Sequence, residues 1–139
     1  MRKFLIATHG SFSAGIKTSL DIIIGEMENV FIIQAYVHGN KSIEDELNGV
    51  LKNVGDEDEL VIFSDLLGGS ITNQVLRFAT KENVHTVSGF NLPLLIDILL
   101  ADTETPVIEV IETAINNARE QIVYVNKLIT ANKEDNPDD

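Results

Sequence analysis

Short continuous apolar runs alternate with apolar residues at helical spacing along most of the chain. Phe4 to Ala7 is a run of the kind a strand buried on both faces shows, and Ile16, Leu20, Ile23 and Ile24 follow on one helix face. Val30 to Val37 reads as a second strand. Ser42 is placed as an N-cap with Asp45 three residues on, ahead of a helical face made by Ile43, Leu47, Val50, Leu51 and Val54. Leu60 to Phe63 reads as a third strand, and Ser70 is placed to cap a helix carrying Ile71, Val75, Phe78 and Ala79 on one side. Val84 to Val87 reads as a fourth strand, and Pro93 suits the first turn of a helix from Leu92 to Ala101. Val107, Val110, Ile111, Ala114, Ile115 and Ala118 mark a last helical face, after which Gln121 to Asn126 fits an extra strand or a helix continuation.

Four repeats of strand then helix predict an α/β fold: a doubly wound, mainly parallel sheet with helices on both faces and right-handed crossovers. Doubly wound order makes the first and third strands neighbours. Sites in such sheets lie outside the carboxyl ends of the strands, near the point where the strand order reverses.

The 139 residues suit one domain, expected over 1–130, with an acidic and disordered tail over 131–139. Between Lys133 and Asp139 the chain has one positive and four negative side chains and a proline. Ten Lys and Arg against 22 Asp and Glu give a net charge of -12, which argues against a nucleic-acid partner and favours basic proteins. With no cysteine, thiol catalysis, disulfides and thiolate metal sites are excluded. His9, His38 and His85 are too dispersed for a metal motif, so neither metal nor cofactor is expected. The apolar run near the N-terminus is shorter than a signal peptide needs, and no stretch approaches a membrane span. A cytoplasmic location is expected.

Polar and small residues gather where the predicted strands stop: Thr8-His9-Gly10 after the first, Ser64-Asp65 and Leu66-Leu67-Gly68-Gly69-Ser70 after the third, and Ser88-Gly89-Phe90-Asn91 after the fourth. An imidazole at a strand end is exposed enough to react and is nucleophilic near neutral pH. Gly10 beside it lets a large group approach. Asp65 either satisfies loop amides or accepts a hydrogen bond from one His9 nitrogen, which leaves the other as nucleophile. Gly68-Gly69-Ser70 is either a tight turn or an anion site of free amides, a helix end and the Ser70 hydroxyl. It lacks the lysine of a Walker loop and the spaced glycines of a dinucleotide fingerprint. His38 falls near the rim of the same face, and His85 falls within the fourth strand, where a structural role is expected.

Thr8-His9-Gly10, Ser64 to Ser70, and Gly89-Phe90-Asn91-Leu92-Pro93-Leu94-Leu95 together resemble the IIA component of the mannose-family sugar phosphotransferase system, in order and spacing, up to about Gln121. The resemblance implies a phosphoryl carrier. His9 is then the phosphorylated residue, taking the group from HPr and handing it to the IIB component, while the membrane IIC and IID components are reached indirectly. Asp65 matches the aspartate that holds the active imidazole, and Gly10, Gly68, Gly69 and Ser70 match the surroundings of the phosphoryl group. A homodimer with an exchanged C-terminal strand is implied too, with Gln121 to Asn126 as that strand. Leu67 stands where some members carry tryptophan.

A related alternative is the phosphotransfer subunit of a dihydroxyacetone kinase. A histidine phosphatase also places His-Gly after its first strand, but it puts arginine before the histidine, whereas Thr8 stands there. A receiver-like binding module needs paired acidic residues after the first strand, which this chain lacks.

Overall fold

In the computed structural model the described residues are 1–37, 42–77 and 80–135. The elements run β1 (Arg2–His9), α1 (Phe12–Ile24), β2 (Val30–Ala35), α2 (Ile43–Leu51), β3 (Glu59–Ser64), α3 (Ser70–Val75), β4 (Val84–Ser88), α4 (Leu92–Leu99), α5 (Val107–Glu120) and α6 (Val125–Asp135). Among the described residues the sheet has four strands in the order β2-β1-β3-β4, and every pairing is parallel. The expected α/β architecture is the one observed. β1 lies between β2 and β3, so the strand order reverses beside the end of β1.

Alternation along each strand sends consecutive side chains to opposite faces, and both faces are covered. Phe4, Ile6, Val61 and Phe63 pack with Leu20 of α1, Leu94, Leu95 and Ile98 of α4, and Val110, Ala114 and Ala118 of α5. Leu5, Ala7, Leu60 and Ile62 pack on the other side with Ile43, Leu47 and Val50 of α2 and with Ile71 and Val75 of α3. A continuous apolar run is the sequence signature of such a doubly covered strand, which is why β1 and β3 were legible without alternation.

Several boundaries differ from the sequence expectation. β2 stops at Ala35, because Tyr36 takes the left-handed conformation at φ 67° and the pairing cannot continue through it. α3 is capped by Gly69 with no side-chain bond, and Ser70 is its first helical residue instead of its cap. Ser42 does cap α2, accepting from the Asp45 amide at 3.1 Å, and Asn91 caps α4 through the Leu94 amide at 3.0 Å. Gln121 to Asn126 forms neither a strand nor a continuation of α5. Residues 122–124 are irregular, and Val125 opens α6. Residues 131–135, expected within a disordered tail, are helical as the last part of α6. His38, Phe78, Ala79 and residues 136–139 lie outside the described residues.

Candidate active site

β1 delivers His9 to the carboxyl edge of the sheet, and β3 delivers Asp65 one residue past its own end. The parallel register pairs Ala7 with Ser64, so His9 and Asp65 emerge side by side. The Asp65 carboxylate reaches His9 twice. Oδ2 accepts the His9 backbone amide at 2.9 Å and lies 2.9 Å from ring Nδ1. Burial pushes the Asp65 carboxyl up, but the His9 amide, the His9 ring bond and the ring's charge outweigh it together, so its pKa lies below the ordinary 3.8. An ionised carboxylate only accepts, so Nδ1 carries the proton and donates. In the neutral ring Nε2 then holds the free lone pair. The imidazole is 39% exposed and the carboxylate 12%, so the orienting group is shielded while the ring stays reachable.

Small polar residues fix the loops on either side. Thr8, wholly buried, accepts the Ser13 amide at 2.7 Å, and Ser13 Oγ donates to the Ile33 carbonyl at 2.9 Å, which ties the start of α1 to β1 and β2. Thr72 Oγ1 donates to the Leu66 carbonyl at 2.6 Å and pairs with Ser64 Oγ at 2.7 Å, closing the loop that joins β3 to α3. Gly68 in that loop and Gly10 beside His9 take φ of 77° and 58°, a conformation costly for other residues. Gly69 lies against the imidazole: a Cβ there would come within 3.7 Å of His9 Cε1. Phe12, Leu66 and Leu67 are exposed close by in sequence, giving the site an apolar border.

A family model described as the phosphotransferase system (PTS) fructose IIA component matches residues 3–115. The chain belongs to this family. It is a phosphotransfer component of a sugar phosphotransferase system. The PTS fructose-specific EIIA component of Bacillus subtilis (strain 168) is 28% identical over 101 residues, covering 71% of this chain and 69% of that protein. The PTS mannose-specific EIIAB component of Escherichia coli (strain K12) is 27% identical over 122 residues, and this chain spans only 38% of its length. Among solved structures, one from Klebsiella pneumoniae subsp. pneumoniae MGH 78578 superposes with a TM-score of 0.87 at 33% identity, covering 92% of this chain and 93% of that one. The PTS component EIIA from Streptococcus agalactiae superposes at 0.77 with 29% identity, covering 91% of this chain and 99% of that one.

Within this IIA-family chain the structure brings together most of the residues singled out from sequence: His9, Gly10, Asp65, Gly68, Gly69 and Ser70 share one edge of the sheet. His85 lies inside β4, as the sequence reading has it. One expectation needs amendment. α3 has only six residues, so its dipole is a minor source of positive potential beside its individual amides and hydroxyls. The sequence reading also missed Tyr36. Its ring centroid lies 5.7 Å from that of His9, tilted by 35°, and its hydroxyl is 2.7 Å from Ser70 Oγ. Read as one more position in a strand, Tyr36 gave no signal, since a left-handed tyrosine is not encoded by any local pattern. Among the described residues no helix is long and apolar enough to cross a membrane, and no cluster of His, Asp and Glu is arranged to hold a metal ion.

Proposed function

We propose that His9 carries the phosphoryl group of this IIA-family chain on Nε2, accepting it from phosphorylated HPr and donating it to a IIB component. The observation that carries this reading is the double grip of Asp65 Oδ2 on the His9 amide and Nδ1. The grip fixes tautomer and ring orientation together, and it aims the lone pair of Nε2 outward. As the N–P bond forms on Nε2, the bond to the donor nitrogen breaks and the imidazole gains positive charge, which the Asp65 carboxylate stabilises. Phosphoryl transfer demands mainly positioning and electrostatic stabilisation, with donors around the three equatorial oxygens. The Ser70 hydroxyl and the Gly68 amide fill that role, while the Gly10 and Gly69 amides already donate to the Ala35 and Leu66 carbonyls at 2.9 and 3.3 Å, so these two glycines give the group room to approach.

The phosphatase alternative needs arginines around the histidine. Arg2 is buried at the far end of β1, bonded to Glu59 at 3.1 Å and to the carbonyl of Asp102, so it is committed elsewhere. Association of two copies through the C-terminal segment is part of the proposal. Exposed Ile122, Tyr124, Leu128 and Ile129 form an apolar stretch. A hollow of about 270 Å³ between β4 and α5, lined by Ser88, Phe90, Leu94 and Ile115 among others, is suited to receive apolar side chains. Sedimentation of the full chain beside one ending at Glu120 tests this, with dimer expected only for the former.

Incubation with phosphoenolpyruvate, Enzyme I and HPr, followed by intact mass at neutral or mildly alkaline pH, tests the carrier reading. One phosphoryl group is expected, dependent on HPr, lost in acid and absent from His9→Ala. Steady release of phosphate with no adduct would point to a hydrolase instead.

A further inference from the structure

Among the described residues Tyr36 is the one non-glycine residue with a positive φ. A bulky side chain is seldom held there, and residues in sparsely populated backbone regions persist where their surroundings over-determine them. Here two contacts do so: the ring against the imidazole of His9 and the hydroxyl against that of Ser70. The turn after β2 thereby reaches across the mouth of β1 to the first residue of α3. Nothing in the core requires this, because the Tyr36 side chain is largely solvent-exposed.

We propose that Tyr36 is a positioning residue for phosphoryl transfer: its hydroxyl donates to Ser70 Oγ, so that the Ser70 proton is directed at the phosphoryl group on His9. This rests on the reading of His9 as the carrier. A serine hydroxyl has one proton and two acceptor lone pairs, and it rotates freely when unpartnered. Once Oγ accepts from Tyr36, its own proton is turned away from the tyrosine, leaving it free to donate to an equatorial oxygen beside the imidazole. No proton changes owner: both O–H bonds persist while the N–P bond forms at His9 and breaks at the donor. The tyrosine ring also limits tilting of an imidazole whose other side is held by Asp65. Tyr36 thus acts through Ser70 and through the ring of His9, without bonding the phosphoryl group.

The test compares wild type, Tyr36→Phe, Ser70→Ala and the double variant in single-turnover transfer from phosphorylated HPr, with the ³¹P resonance of the phosphohistidine as second readout. Phenylalanine keeps the ring and removes only the hydroxyl. Loss of one neutral hydrogen bond predicts transfer slowed about three- to tenfold in Tyr36→Phe, with KM for phosphorylated HPr unchanged. The ³¹P resonance shifts toward its position in Ser70→Ala, and the double variant is no slower than Ser70→Ala alone. Wild-type rate and resonance in Tyr36→Phe would overturn the proposal. So would slowing that multiplies with that of Ser70→Ala, or a rise in KM alone, which would make Tyr36 a contact for HPr. A wild-type protein that accepts no phosphoryl group defeats the carrier reading itself, so the two failures are told apart.

Discussion

One carboxylate oxygen serves two donors at His9, and that economy decides what the ring can do. Asp65 Oδ2 binds a backbone amide that cannot move and a ring nitrogen that otherwise could. The imidazole is therefore oriented by the same rigid strands that build the sheet, with no flexible intermediary. Asp65→Ala is expected to fold, since the sheet and both its cores are untouched, yet to accept the phosphoryl group roughly a hundredfold more slowly, the scale of a positioned acid or base group. Single-turnover kinetics check this, with a cooperative urea transition showing that the variant is folded, and wild-type transfer in a folded variant would contradict the orienting role. His9 and Asp65 were legible in sequence because each sits next to an unbroken apolar run, so their strand ends could be found. Tyr36 was not, because its role comes from a backbone conformation and from a partner 34 residues away.

At the scale of elements, the loop between β3 and α3 bears the site and is closed by buried hydroxyls. Thr72 is 2% exposed and bonds both Ser64 Oγ and the Leu66 carbonyl. Thr72→Val keeps the shape and strands both partners, so it is expected to lower stability by about 1–3 kcal/mol in urea unfolding. An unchanged midpoint would mean that the loop is held by other contacts. The caps Ser42 and Asn91 could be read from sequence because the cap residue and its acceptor geometry are local. The misplaced Ser70 cap has a physical reason as well: Gly69 is extended at φ -75°, ψ 165° and takes the cap position, so the helix begins one residue earlier than a serine cap would have it, and the Ser70 side chain turns to Tyr36. α6 was missed because Gln121 to Asn126 has the composition of a strand, while helical structure begins only at Val125.

For the molecule as a whole, a net charge of -12 makes acid behaviour informative. Asp58 accepts the Gly55 amide at 2.8 Å and lies 2.9 Å from Lys3 Nζ, and these bonds hold its pKa well below the ordinary 3.8. Asp65 is lowered too. A carboxylate with a folded pKa below its unfolded value adds stability that is complete above the unfolded value and fades as pH falls through the folded one. The contribution of both groups is thus steady from pH 7 to about 5 and is lost below about pH 4. Asp58→Asn is expected to flatten that acid limb of the urea midpoint, and a limb of unaltered slope would remove Asp58 from the account. The alternation of strands and helices across the chain made the doubly wound order legible, and with it the neighbouring ends of β1 and β3 on which the site depends. The most direct measurement is the ³¹P and ¹⁵N spectrum of the protein after phosphorylation by HPr. A single phosphohistidine is predicted, on Nε2 of His9 with Nδ1 still protonated. A group on Nδ1, or on any other residue, would contradict the account.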